Sequence, residues 1–167
     1  MKRIVLAAAS VTVLAACQPA PPADTNPLVG AWLVTEMTTT SPDSSFSISH
    51  PQPGLYLFTE HHYSMMYVPS DQARPLDAGD VPMLGTLDPT DAEKIASWDT
   101  FIANSGSYEA VESTLTTRPI VAKVANLMAA GEPLTMSYEV SGDTLVVTFA
   151  PPWTPETETR TTLVRLP

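Results

Sequence analysis

The stretch that decides the fold is residues 134–149, LTMSYEVSGDTLVVTF. Its two halves, 134–140 and 144–149, are rich in residues that favour β-strands, and a short loop containing glycine separates them. Two such runs joined by so short a loop are typical of a β-hairpin. The stretch therefore predicts antiparallel sheet in this part of the chain.

Similar runs elsewhere predict further strands. They lie at residues 32–39, 54–58, 62–68, 107–115 and 159–166. The second and third of these runs are separated only by residues 59–61, which predicts neighbouring antiparallel strands. Seven or eight strands suit a closed barrel better than an open sheet, because an open sheet leaves two edges unpaired. We therefore expect a mainly β fold, an antiparallel barrel of about eight strands with one amphipathic helix.

One helix and two irregular segments interrupt these strands. Residues 89–105 are predicted to be helical, since Thr90 and Glu93 have the spacing of a capping box. Gly106 would end the helix, and Ile95, Trp98 and Ile102 would pack one face of it against the core. Residues 119–130 indicate a short helical turn, and residues 70–88 a long irregular loop.

Composition excludes several classes of protein. A chain of 167 residues is long enough for one domain with its own core, and too short for a large multidomain enzyme. Its 17 prolines would break most long helices, which argues against a helical bundle. The formal charge of −10 argues against nucleic acid as a partner, because phosphate binding needs a cationic surface.

The N-terminus has the pattern of an export signal. Lys2 and Arg3 precede an apolar run, 4–16, that is too short to span a bilayer. The run ends in Leu-Ala-Ala followed by Cys17, which resembles the lipobox of bacterial lipoproteins. That resemblance implies a lipid on Cys17 and cleavage before it. The alternative is an ordinary signal peptide with a chance cysteine, although this single cysteine has no disulfide partner.

This interpretation divides the chain into three parts. Residues 1–16 would be the signal peptide, 17–27 a proline-rich tether, and 28–167 the barrel domain. The predicted partner is a membrane, to which the lipid on Cys17 would attach the protein. In enterobacterial lipoproteins an aspartate after the cysteine favours retention in the inner membrane. Gln18 at that position therefore favours the outer membrane of a bacterial envelope, facing the periplasm.

Several residues resemble the lipocalins. Gly30-Ala31-Trp32 looks like their Gly-x-Trp signature, and Arg165 resembles the late arginine that packs over that tryptophan. The stretch 101–109, with 115–119 after it, is similar to the lipocalin-like domain of many bacterial proteins of unassigned role. The resemblance covers residues 28–166 and implies a barrel sealed by Trp32, with a cavity for a small apolar or amphipathic molecule. The chain departs from the lipocalin pattern at residues 70–88 and 119–131, so the pairing order of the strands around these segments stays open.

Two groups of residues are candidates for contact with a ligand. Alternation along a strand would direct Tyr63, Met65 and Tyr67 to one face, and flexible thioether and phenol groups adapt to irregular apolar shapes. The same residues would fill a solid barrel equally well. Arg118 and Lys123 could hold an anionic group at a barrel mouth. Their alternative role is in surface pairs, with acidic partners expected at 109, 112 and 132.

No catalytic or metal-binding motif is present. His61 and His62 are adjacent, so on a strand they would point to opposite faces and could not ligate one ion. The chain has no Gly-x-Ser-x-Gly elbow, phosphate loop or dinucleotide pattern. We therefore expect no enzyme activity, cofactor or metal. The predicted function is a lipoprotein that binds a small ligand, and the alternative is a solid barrel that recruits a protein partner in the envelope.

Overall fold

The protein is described by a computed structural model, which covers residues 26–72, 90–129 and 131–167. The predicted signal peptide, Cys17 and nearly all of the tether and of the loop 70–88 lie outside these residues. The described part contains β1 (Gly30–Ser41), β2 (Ser44–Ile48), β3 (Gln52–Phe58), β4 (His62–Val68), α1 (Asp91–Asp99), β5 (Ile102–Val111), β6 (Thr114–Ala122), α2 (Ala125–Ala129), β7 (Leu134–Ser141), β8 (Thr144–Phe149) and β9 (Glu158–Arg165).

Eight of the strands close into an antiparallel barrel. From β3 to β9 each strand pairs with the next along the chain, and β1 closes the ring by pairing with both β3 and β9. The ninth strand, β2, pairs with the second half of β1, from Met37 to Ser41. The predicted fold class is confirmed, and the arrangement is consistent with a lipocalin-like barrel. The sequence left the pairing order of the strands around residues 119–131 open, and in the structure β5, β6 and β7 pair in chain order, as in a plain meander.

The predicted helix 89–105 is wrong at its C-terminal end. Its start is correct, because Thr90 and Glu93 form the capping box. The helix ends at Asp99, however, and residues from Ile102 onward pair with β4. Gly106 lies inside β5, where a Cβ atom would come within 2.0 Å of the carbonyl oxygen of Arg118. Its role is therefore the close approach of two strands rather than the end of a helix.

The expected packing of α1 on the core is also wrong. Ile95 is 61% exposed and Trp98 59% exposed, whereas Ser97 is the buried residue of the helix. The ring of Trp98 lies beside Lys123, whose Nζ is 5.2 Å from the ring centroid. The predicted helical turn 119–130 is likewise shorter than expected, since β6 continues to Ala122.

The two ends of the barrel differ. Short turns join β3 to β4, β5 to β6 and β7 to β8 at one end, and Trp32 lies near this end. The described parts of the longer connections, 69–72, 90–101, 123–129, 131–133 and 150–157, lie at the other end together with both helices. We call these the sealed end and the wide end. No helix among the described residues is long and apolar enough to cross a membrane.

Candidate functional site

The sealed end is built around Trp32. Its ring is fully buried, and the indole Nε1 donates a hydrogen bond of 2.7 Å to the carbonyl oxygen of Leu28. Arg165 covers the ring, with its Cζ atom 4.0 Å from the ring centroid, as the lipocalin resemblance implied. The same guanidinium donates to the carbonyl oxygens of Val29 and Pro27 at 2.7 and 2.8 Å. These bonds hold the chain before β1 across this end of the barrel.

The inner face of β4 carries the first candidate residues. Tyr63 and Met65 are buried, and Tyr67 packs against the buried core. Ser64 belongs to the outer face, where its hydroxyl receives a 2.7 Å hydrogen bond from Ser105. The predicted alternation is thus confirmed. Contact of these residues with a ligand stays a prediction.

A cluster of hydroxyl groups lies inside the barrel. The phenol of Tyr56, on β3, lies beside the hydroxyl groups of Tyr67 on β4 and Thr161 on β9, and the centroids of the two tyrosine rings are 5.7 Å apart. Tyr56 and Thr161 are each 5% exposed. Burial raises the pKa of Tyr56 well above its usual value, and the neighbouring Tyr67 raises it further. The pKa of Tyr67 is also raised by burial. We call these three residues the hydroxyl cluster.

A second polar group inside the barrel surrounds Tyr63. Its hydroxyl donates to Oδ1 of Asn104 at 2.6 Å, and burial raises its pKa to about 12. Thr117 is fully buried and donates to the carbonyl oxygen of Leu134 at 3.3 Å. Interior methionines, Met37, Met65 and Met136, supply apolar surface. The inner wall is therefore amphipathic.

Sequence reasoning missed four of these polar residues. Asn104 was hidden because residues 102–105 were assigned to a helix, whereas alternation along β5 places it inside. Tyr56 had a detectable signal, since it alternates with Phe58 along a predicted strand. No local signal separates Thr117 and Thr161 from the many exposed threonines of this chain.

The cationic candidates Arg118 and Lys123 each contact another group of the protein. Arg118 alternates with the buried Thr117 and faces outward, where its Nη1 lies 3.5 Å from a carboxylate oxygen of Glu109. This is the surface pair that the sequence offered as the alternative. Lys123 donates from Nζ to the carbonyl oxygen of Trp98 at the wide end. Each cation thus has its own protein partner, and joint contact of the two with an anionic ligand at a barrel mouth stays a prediction.

The histidines and carboxylates form no metal site in the described residues. His61 is exposed beside Glu60, with 4.0 Å between Nε2 and the carboxylate. No group of three or more potential ligands comes together within residues 26–72, 90–129 and 131–167. All buried polar side-chain atoms described here have hydrogen-bond partners.

Comparisons with known proteins add little. No protein-family model matches the chain, and no curated protein matches it. Among solved structures, it is similar to an uncharacterized protein from Bacteroides eggerthii, with 9% sequence identity and a TM-score of 0.42. The match covers 83% of this chain and 99% of the other.

Proposed function

We propose that this protein is a bacterial envelope lipoprotein, anchored through Cys17, whose barrel binds a small apolar or amphipathic molecule without converting it. The observation that carries the ligand role is the amphipathic inner wall. Burying a hydroxyl group costs free energy that an aliphatic side chain would not, and hydrogen bonds only offset that cost. A barrel filled solely for stability has no need of the hydroxyl cluster.

The chemistry of the wall indicates the class of ligand. Methionine and tyrosine rings offer apolar surface that adapts to irregular shapes. The neighbouring phenols of Tyr56 and Tyr67 can both form hydrogen bonds to a polar group of the ligand. An amphipathic molecule uses both properties, with its apolar part against the methionines.

Access is expected from the wide end. Trp32 and Arg165 cover the sealed end. Tyr67 lies near the last residue of β4, so it is close to the wide end. Among the described connections, the long ones lie at this end and can move without breaking the barrel.

The same groups support binding rather than catalysis. The phenols of Tyr56, Tyr63 and Tyr67 are neutral near pH 7, and burial raises their pKa values further from it, so they serve as hydrogen-bond partners and not as bases. His61 is exposed beside Glu60, with three-quarters of its side chain open to solvent. No acid–base pair in the described interior has the geometry of an activated nucleophile.

The ligand role is tested by native mass spectrometry of the full protein, extracted from its own host in mild detergent. We expect a co-purifying small molecule that is lost from the double variant Tyr56→Phe/Tyr67→Phe. The matched control is Tyr108→Phe, which removes a phenol oxygen near the sealed end, where it bonds Asn26 and the carbonyl of Thr59. Wild-type protein without any bound molecule, or equal loss from both variants, contradicts the ligand role.

The anchor is tested separately. Cys17→Ala should abolish labelling of the protein by radioactive palmitate and leave the precursor uncleaved. Density fractionation of host membranes should place the wild type with the outer membrane, and Gln18→Asp should move it toward the inner membrane. An unlabelled wild-type protein contradicts the lipoprotein assignment and leaves the ligand experiment interpretable.

A second candidate function is recruitment of a protein partner through the outer surface. The supporting observation is a set of large apolar side chains at the wide end that are 59–65% exposed: Ile95, Trp98, Ile120 and Val121. Exposed apolar groups of this size often mark an interaction surface. If this function holds, a photo-crosslinker at Ile120 should give one discrete adduct in host cells, and Ile120→Asp should leave ligand retention unchanged.

A further inference from the structure

A groove with a volume of about 350 Å³ lies on the outer face of β7, β8 and β9. Leu145 and Val147 of β8 point into the core, so the alternate residues Val146 and Thr148 point outward into the groove. Ser113, Ser137, Glu139 and Arg160 also line the groove. We call this the outer groove, and it is separate from the inner wall.

Arg160 is an unusual cation in this acidic chain. The other basic side chains in the described residues have protein partners: Lys94 contacts Asp91, Arg118 contacts Glu109, Lys123 contacts Trp98, and Arg165 contacts Val29 and Pro27. Within the described ranges, the side chain of Arg160 has no hydrogen bond or ion pair. Glu158 is two residues away on the same outward face, yet the two are not paired. The guanidinium is therefore free to bind an anionic group at the groove.

The hydroxyls of the outer groove are also free. Elsewhere on the outer face, hydroxyls on neighbouring strands pair with each other, as Thr38 does with Ser47 at 2.7 Å and Ser64 with Ser105 at 2.7 Å. Ser137 and Thr148 are directly opposite in the same way, but no bond joins their side chains in the described structure. Their donors and acceptors are available to a ligand that lies across the strands.

The charges at the two sides of the outer groove are opposite. Arg160 lies on β9 and Glu139 on β7, with β8 between them. Two strand spacings separate β7 and β9 by about 10 Å. A ligand that satisfies both side chains carries an anionic group at one end and a cationic group at the other, with polar groups between them for Ser137 and Thr148.

We propose that the outer groove binds a short peptide through its two charged termini. The terminal carboxylate pairs with Arg160 in a bidentate arrangement, and the terminal ammonium pairs with Glu139. Peptide amide groups exchange hydrogen bonds with the hydroxyls of Ser137 and Thr148. The distance between the charges selects two or three residues rather than a single amino acid.

The test uses the full chain in detergent micelles and follows backbone amide signals by NMR during titration. Triglycine should shift the signals of Val146 and Thr148, and glycine should bind at least about tenfold more weakly, because its charges cannot reach both sides. Acetylating the amino terminus of triglycine should weaken binding to a similar extent.

Matched variants separate the groove from general surface charge. Arg160→Gln and Glu139→Gln should each reduce triglycine affinity by about tenfold, as expected for loss of one charged hydrogen-bond partner. Arg118→Gln, an exposed arginine outside the groove, should leave it unchanged. The proposal is overturned if triglycine shifts no groove signal, if glycine or inorganic phosphate binds equally well, or if Arg160→Gln binds like the wild type.

Discussion

Arg165 lies over Trp32, with its Cζ atom 4.0 Å from the ring centroid, and so links the last strand of the barrel to the first. The two residues face each other in the β1–β9 register. The arginine also bonds to two carbonyl oxygens of the chain that precedes β1. One side chain thus stabilises the closure of the barrel and its sealed end together.

Replacement of this arginine should therefore be costly. Arg165→Ala removes a cation–π contact and two charged hydrogen bonds, so we expect a loss of about 2–3 kcal/mol in the free energy of unfolding. Urea denaturation followed by tryptophan fluorescence measures this loss. Arg118→Ala, which breaks only an exposed ion pair, should cost less than about 1 kcal/mol. Equal losses in the two variants would contradict the closing role of Arg165.

Gly106 should not tolerate a side chain. A Cβ atom there would lie 2.0 Å from the carbonyl oxygen of Arg118 and 2.8 Å from its carbonyl carbon, both on the backbone of β6. The strands must separate to relieve this overlap, so Gly106→Ala should destabilise the protein by about 3 kcal/mol or more. Gly142→Ala is the comparison, because its positive φ of 58° costs energy but nothing lies within 4 Å. Denaturation midpoints should fall much further for the Gly106 variant.

The buried phenols should make stability depend on pH in the alkaline range. The pKa of Tyr63 is raised from 10 to about 12, so between these values the unfolded chain releases a proton that the folded chain retains. This stabilisation is complete below pH 10 and is lost as pH rises toward 12. Tyr56, Tyr67 and Tyr108 add in the same direction.

The variant Tyr63→Phe isolates that contribution. It should be less stable at neutral pH, because Asn104 loses the donor that lies 2.6 Å away. Its unfolding free energy should also fall less steeply than that of the wild type between pH 10 and 12. Urea titrations across this range provide the measurement, and parallel curves for the two proteins would refute the assignment.

The capping box of α1 should be detectable from the pKa of the Glu93 carboxyl group. Hydrogen bonds from the side chain and the backbone of Thr90 lower the pKa of the Glu93 carboxyl group. Thr90→Ala removes the side-chain bond of 2.7 Å, so the pKa of Glu93 should rise toward its usual value. Thr90→Ser keeps a hydroxyl and should leave the pKa low. Carboxyl carbon chemical shifts of Glu93 report the change, and identical titrations in both variants would count against it.

Local sequence patterns were sufficient to predict part of the structure of this protein. The hairpin around residues 141–143, the alternation of Tyr63, Met65 and Tyr67, and the capping box at Thr90 all depend on neighbours a few residues apart. Such signals are present in the chain before it folds. They were enough to predict strands, their approximate number and the class of the barrel.

The remaining features depend on partners distant in the sequence. Residues 102–105 continued a helical pattern, but pairing with β4 on one side and β6 on the other makes them a strand. Asn104 became an interior residue for the same reason. No local sequence pattern distinguishes Arg118 from Arg160. The neighbouring strands place Arg118 beside Glu109, whereas they leave the side chain of Arg160 unpaired at the outer groove. Hydrogen bonds between strands and the packing of opposite walls are non-local interactions, so the tertiary structure alone decides them.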